Sequence, residues 1–194
     1  MAITGIGATP ENNVLQTFSD AAAGRSIQCY YGIIAQNQAS TDYILTRDGG
    51  NSYPLIQESA AGAFDVDFDL TINKPTIFAG IAYIDFNQNL RVIGTPGVGQ
   101  CYITFTVYHY DGVTETSLGT VTTLNLSGSA TTNRISKVKI AITRKSFKIG
   151  DTLRLTAYGA LNAGAYATHV VGLHCDPSTA GNELKLNMPI VNME

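Results

Sequence analysis

Tryptophan is absent from this 194-residue chain, cysteine occurs three times, and only 14% of the residues are charged. Each scarcity excludes something. Cys29, Cys101 and Cys175 are odd in number and far apart, so no disulfide framework is expected and at least one thiol is left over. Free, mostly buried thiols made in a reducing cytoplasm are the simplest reading. Twelve basic residues against 15 acidic ones give a formal charge of −3, without the concentrated positive surface that nucleic acid requires. No run of about 18 apolar residues exists, and the opening MAITGIGATP has neither the basic start nor the apolar stretch of a signal peptide. Neither a nucleic-acid nor a membrane partner is therefore expected. A phosphate loop, G-x-S-x-G and H-E-x-x-H are also missing, and GTPGVG (94–99) opens no helix and reads as a loop.

What is present is a two-residue rhythm. From Asp65 onward, short blocks alternate apolar and polar residues between Gly, Asn, Asp or Pro punctuation, the pattern of strands with one buried face. About eight blocks qualify: Asp65 to Ile72, Ile77 to Phe86, Cys101 to Tyr110, Thr116 to Leu126, Arg134 to Thr143, Thr152 to Leu161, Ala167 to Cys175 and Glu183 to Val191. No helical segment separates them, so a sandwich or barrel is expected rather than β-α-β units. IFAGIAYIDF, from Ile77, is apolar on both faces and reads as central or covered. Pro189, lacking a donor, predicts an edge or a bulge in the last strand.

The alternation assigns faces. Val66, Phe68, Leu70 and Ile72 point inward and Asp65, Asp67 and Asp69 outward; Ile103, Phe105 and Val107 point inward and Tyr102, Tyr108 and Tyr110 outward with Thr104 and Thr106. Val138, Ile140 and Ile142 oppose Lys137 and Lys139. A slip of one residue buries those charges, which specifies register. The aspartates recur every 7 Å or so along the strand, too evenly to wrap one calcium ion, and read as a solvated face or an ionic contact. Outward lysines guard a sheet edge, or else meet the aspartate face of a symmetry mate, a head-to-tail contact suited to a ring. The three tyrosines suit sugar stacking or a protein interface. His169, His174, Cys175 and Asp176 form the only cluster resembling a metal or nucleophile site, but His169 and Cys175 fall on one side of an extended strand and His174 on the other. No catalytic residue, metal or cofactor is expected, and the chain reads as a non-enzymatic structural or binding protein.

Residues 1–64 lack sustained alternation, with Arg25 and Arg47 against Glu11, Asp20, Asp42, Asp48 and Glu58. A short helix over Asn13 to Gly24 and short strands over Ile27 to Ile34 and Tyr43 to Thr46 are predicted. The expected organisation is an N-terminal arm or small clamp over 1–64 and a β-domain over 65–194. Ile3, Ile6, Val14, Leu15, Phe18, Tyr30 and Tyr31 supply the arm's apolar contacts.

Three C-terminal segments follow in order: FKIGDTLRLT (147–156), HCDP (174–177) and LKLNMPI (184–190). They resemble a group of virion structural proteins of tailed phages and related viruses, jelly-roll domains with an F-K-x-G-D-x-L-R-L hairpin, an H-D-P turn and an L-K-I-N-x-P final strand. Cys175 interrupts the H-D-P turn here, and the likeness covers roughly Asp65 to Val191. The resemblance implies an all-β jelly-roll sandwich of about eight strands with an extended N-terminal arm. It also implies a capsid decoration, or cement, protein: a homotrimer made in the host cytoplasm and seated on the outer surface of the virion against the major capsid protein. The arm, together with Lys137, Lys139, Asp65, Asp67 and Asp69, is expected to touch the capsid or neighbouring subunits. A second reading, from Tyr102, Tyr108 and Tyr110, is a receptor- or glycan-binding module of a phage head or tail fibre.

Overall fold

The alternating blocks all become strands. In the computed structural model, which describes residues 25–36, 41–47, 56–59, 63–93, 97–163 and 168–191, no helix occurs among the described residues. The strands are β1 (Arg25–Gln36), β2 (Thr41–Thr46), β3 (Ile56–Ser59), β4 (Ala63–Thr71), β5 (Thr76–Val92), β6 (Gly99–Tyr110), β7 (Glu115–Thr122), β8 (Leu126–Gly128), β9 (Thr132–Phe147), β10 (Thr152–Ala163), β11 (His169–His174) and β12 (Leu184–Val191). The eight expected blocks correspond to β4 through β12. Thr116 to Leu126 divides into β7 and β8 around Thr123–Asn125.

The hydrogen-bonded order is β3-β11-β5-β12-β1-β2-β4-β10-β6-β7, with β8 on β6 and β9 on β5. A single parallel bridge, Ile44 to Asp69, joins β2 to β4. There the sheet turns over into a second layer, giving the all-β jelly-roll sandwich. One layer holds β9, β5, β11, β12, β1 and β2, and the other holds β4, β10, β6 and β7. The layers meet through side chains such as Phe86 of β5 and Phe105 of β6, whose rings sit 5.0 Å apart edge to face. Phe68, Phe78, Phe105, Leu153 and Leu155 are fully buried between them, and this removal of apolar area from water is the main stabilising term.

β5 is central, as its composition predicts. β9 pairs with it from Thr76↔Phe147 to Leu90↔Thr132, and its other edge takes β12 and then β11. Ile81 is nevertheless 45% exposed, because the first half of β5 keeps one outward face. β12 lies between β1 and β5, and its ladder to β5 is interrupted between Asn187 and Ile190. That interruption spans Pro189, which has no N–H to give.

β1 and β2, from the stretch expected to be an arm, are strands of this same sandwich, and Tyr30, Ile34 and Leu45 join its core. The position expected to divide the chain, 64/65, falls inside β4. β1 is hydrogen-bonded on both edges, and Gly32, Ile33 and Ile34 are consecutively buried, so the strand carries no two-residue rhythm to read. The helix expected over Asn13 to Gly24, and the contacts Ile3, Ile6, Val14, Leu15 and Phe18, lie outside the described residues.

β7 and β9 close one flank without pairing. Their approach needs Gly119, where a Cβ would lie 2.3 Å from the Ala141 carbonyl oxygen. A bulge between Val107 and Tyr108 in the β6–β7 ladder brings Gly119 to this seam. Backbone cannot step aside as a side-chain end can. Gly119→Ala is expected to cost about 1–3 kcal/mol by overpacking, read as a lower thermal midpoint. An unchanged midpoint refutes this account of the seam.

Candidate functional site

The outer face of the β4-β10-β6-β7 layer is built in rows set by register. Asp69, Arg154, Tyr108 and Ser117 form one row, and Asp67, Thr156, Thr106 and Thr120 the next; Asp65, Tyr158, Thr104 and Thr122 form the third. Arg154 organises it. Its Nε and Nη2 donate to the two carboxylate oxygens of Asp69 at 2.7 and 2.8 Å, and its Nη1 reaches Glu115 at 2.9 Å and Asp67 at 3.3 Å. The two-pronged geometry is one that only a guanidinium supplies. The Asp69 hydrogen bonds outweigh partial burial and push the Arg154 pKa up. Thr156 donates to Asp67 at 2.6 Å, and the hydroxyl pairs Thr104–Thr122 (2.9 Å) and Thr106–Thr120 (3.1 Å) continue the ladder.

Tyr102, Tyr108 and Tyr110 lie on this face, half-buried, as the alternation predicts. The Tyr110 ring is covered by Arg154 at 5.5 Å, and its hydroxyl donates to the Gly112 carbonyl. Its stacking surface is therefore taken within the chain. Asp67 and Asp69 are likewise engaged with Arg154, while Asp65 is exposed.

The outer face of the other layer has the opposite character. Lys137 on β9 meets Asp85 on β5 at 3.1 Å and stays half-exposed, and Lys139 stands outward beside Tyr83. Lys185 reaches Glu183 at 3.1 Å and lies 5.5 Å over the Tyr31 ring. Tyr31 is thus at this face. Tyr30, expected at a contact surface with it, points the other way and is 2% exposed in the core, since neighbours on a strand face opposite sides.

One end of the sandwich gathers the β4–β5, β6–β7 and β9–β10 connections with the start of β1 and the end of β12. A buried pair that the sequence reading missed holds it: His109 Nε2 donates to Asp151 Oδ2 at 2.7 Å, and the Lys148 amide donates to the same oxygen at 2.8 Å. The amide first, and then the ring, hold the Asp151 carboxyl below its ordinary value. The signal was available, because His109 continues the inward series Ile103, Phe105, Val107. Gly150, at φ 93°, makes the turn, and backbone bonds tie Ile72 to Gly150 and Asp151. Beside it a cavity of about 680 Å³ opens among Tyr30, Arg47, Leu70, Ile72, Ile77 and Ile190.

His169, His174, Cys175 and Asp176 are not brought to one point. The His169 ring bridges Thr168 Oγ1 and the Gly97 carbonyl, 3.0 and 3.1 Å away. Burial pushes the Cys175 thiol far up, which keeps it protonated and non-nucleophilic at neutral pH. Asp176 shapes a turn: burial alone raises its pKa, but bonds from Ser178 and Thr179 outweigh burial and leave it lowered. Among the described residues no three His, Cys, Asp or Glu side chains gather as metal ligands.

The sequence matches no protein-family model and no curated protein. Among solved structures, a CocE/NonD family hydrolase from Staphylococcus aureus is similar over 87% of this chain, with a TM-score of 0.52 and 12% identity. An aminopeptidase from the marine sediment archaeon Thaumarchaeota archaeon is similar over 84%, with a TM-score of 0.52 and 7% identity. The chain spans 37% of the length of each. These neighbours correct the expectation of a non-enzymatic protein. That expectation took the missing motifs and the all-β pattern as exclusive of an enzyme, and this fold occurs within enzyme chains. At such identities the likeness is one of fold: the chain forms an all-β sandwich similar to portions of a hydrolase and of an aminopeptidase.

Proposed function

We propose that this chain is a virion structural module that decorates the outer surface of a capsid by contact with the major capsid protein. The motif resemblance supplies the family of the reading. The structural observation that supports it is a pair of apolar tips at the end described above. Val113, in the β6–β7 turn, is 90% exposed, and Ile149, in the β9–β10 turn, is 69% exposed. The turns are neighbours, since Tyr110 pairs with Thr152.

Both tips are held rigidly. Asp111 Oδ1 accepts the Val113 and Thr114 amides at 3.0 and 2.7 Å, and Asp151 fixes the other turn through Lys148 and His109. Apolar side chains on pre-ordered turns lose little entropy on docking, so their burial goes largely into affinity. The tip bearing Ile149 is also the turn of the FKIGDTLRLT segment, which joins the two supports.

The full chain is expected to co-sediment with shells assembled from its capsid protein, and Val113→Asp with Ile149→Asp to weaken that binding by roughly a hundredfold or more. Circular dichroism checks that the variant keeps its fold. Undiminished binding by a folded variant overturns the placement, and failure of the unaltered chain to bind shells overturns the reading.

A further inference from the structure

We infer that the basic β9 face of one copy of this chain docks on the acidic β4-β10 face of a second copy, in a head-to-tail contact. This goes beyond the capsid reading and does not depend on it.

The charges are sorted by face. β9 carries Arg134, Lys137, Lys139, Arg144 and Lys145 and no acidic residue. Arg134 is turned to Gln88 and to the Leu124 and Asn125 carbonyls, and Asp85 of β5 pairs with Lys137 at 3.1 Å, but Lys137, Lys139 and Arg144 are exposed and outnumber that carboxylate. On the other layer, Asp65, Asp67, Asp69 and Glu115 share an outer face with one cation, Arg154. Arg154 is a single positive charge among four carboxylates, and the patch stays net negative. Tyr158 pairs with Asp65 on the acidic face and Tyr83 with Lys139 on the basic one, the residue type favoured at interfaces.

Their placement decides the kind of contact. β9 lies on the flank closed by β7, with Gly119 against Ala141. β4 lies on the other flank, joined to β2. The patches therefore look in opposite directions from diagonally opposed corners of the sandwich. A twofold contact through either patch sets like charge on like charge, which is costly. A contact of one patch with the other is complementary, and it is heterologous, leaving a free basic face and a free acidic face for the next copy. Nine residues of β4 and the width of four strands give a footprint of roughly 30 Å by 20 Å. That is on the order of the 800 Å² per partner buried in a standard interface.

The test is the mass of the full chain in solution by sedimentation velocity, at about 50 mM and about 500 mM salt. Association at low salt that weakens at high salt is expected. Lys137→Glu with Lys139→Glu, or Asp65→Lys with Asp67→Lys, is expected to weaken it by roughly a hundredfold each. All four substitutions in one chain exchange the signs of the two faces, so that chain is expected to associate again. A role of these side chains in the fold alone predicts no such rescue. If the four-fold variant does not fold by circular dichroism, a mixture of K137Q/K139Q with D65N/D67N decides, since each keeps one native face and a one-to-one dimer is expected. A monomeric unaltered chain at low salt, reversal variants of native mass, a folded but monomeric four-fold variant, or a mixture that stays monomeric overturns the inference.

Discussion

Replacing Phe105 by alanine is expected to lower stability by about 3–5 kcal/mol and the thermal midpoint by roughly 10 °C. Phe105 has no exposed surface, and its ring packs at 5.0 Å and 60° against Phe86 of the facing layer. The cost has two parts: lost transfer free energy of the ring, and a cavity where the two layers pack face to face. Neither neighbour collapses into it easily, because both strands are pinned in register from either side. Phe105→Leu refills most of the volume and is expected to cost about half as much or less. Urea unfolding checks both, with a lower midpoint at unchanged slope. A loss under about 1 kcal/mol for the alanine variant removes the claim that this contact joins the layers.

Asp151→Ala is expected to cost about 2–4 kcal/mol, because the His109 ring nitrogen and the Lys148 amide lose their shared acceptor at a nearly buried site. The turn it organises carries Ile149, so the shell binding proposed above is expected to fall with stability. The carboxyl also gives a pH signature. Its pKa is lowered from the usual 3.8, so its contribution is complete above that value and is lost as the pH falls through the depressed one. Asp176, also lowered, acts in the same window and direction. Thermal unfolding between about pH 7 and pH 3 is expected to show a steeper decline at the acid end for the native chain than for Asp151→Asn, which keeps the shape and lacks the charge. Parallel profiles for the two refute the pairing.

The residues differ in how much of this they announced. Cys101 through Tyr110 gave their inward and outward faces directly, because a strand with one wet side alternates at the period of the pleat. β4 did the same through Asp65, Asp67 and Asp69. β1 did not, since a strand paired on both edges and buried over Gly32, Ile33 and Ile34 shows an apolar run without a period. Asp69 read as an outward acid and Arg154 appeared only within FKIGDTLRLT; 85 positions separate them, and only the β4–β10 ladder brings them together. His109 was visible as an inward residue and Asp151 as a turn residue, and nothing local said that they meet. The missing catalytic motifs spoke about particular short patterns, not about which larger proteins use the fold.

By itself the sequence determined the strands from β4 onward, the inward faces of those that alternate, and the turns between them, because pleat period, glycine turns and proline's missing donor act over a few residues. The tertiary structure alone decided who neighbours whom. Hydrogen-bond partners in a jelly roll come from distant parts of the chain, so pairing places Arg154 among three carboxylates and ties His109 to Asp151. The same pairing sets the lysines of β9 and the aspartates of β4 on opposite faces, since each strand's layer is chosen by the strands beside it.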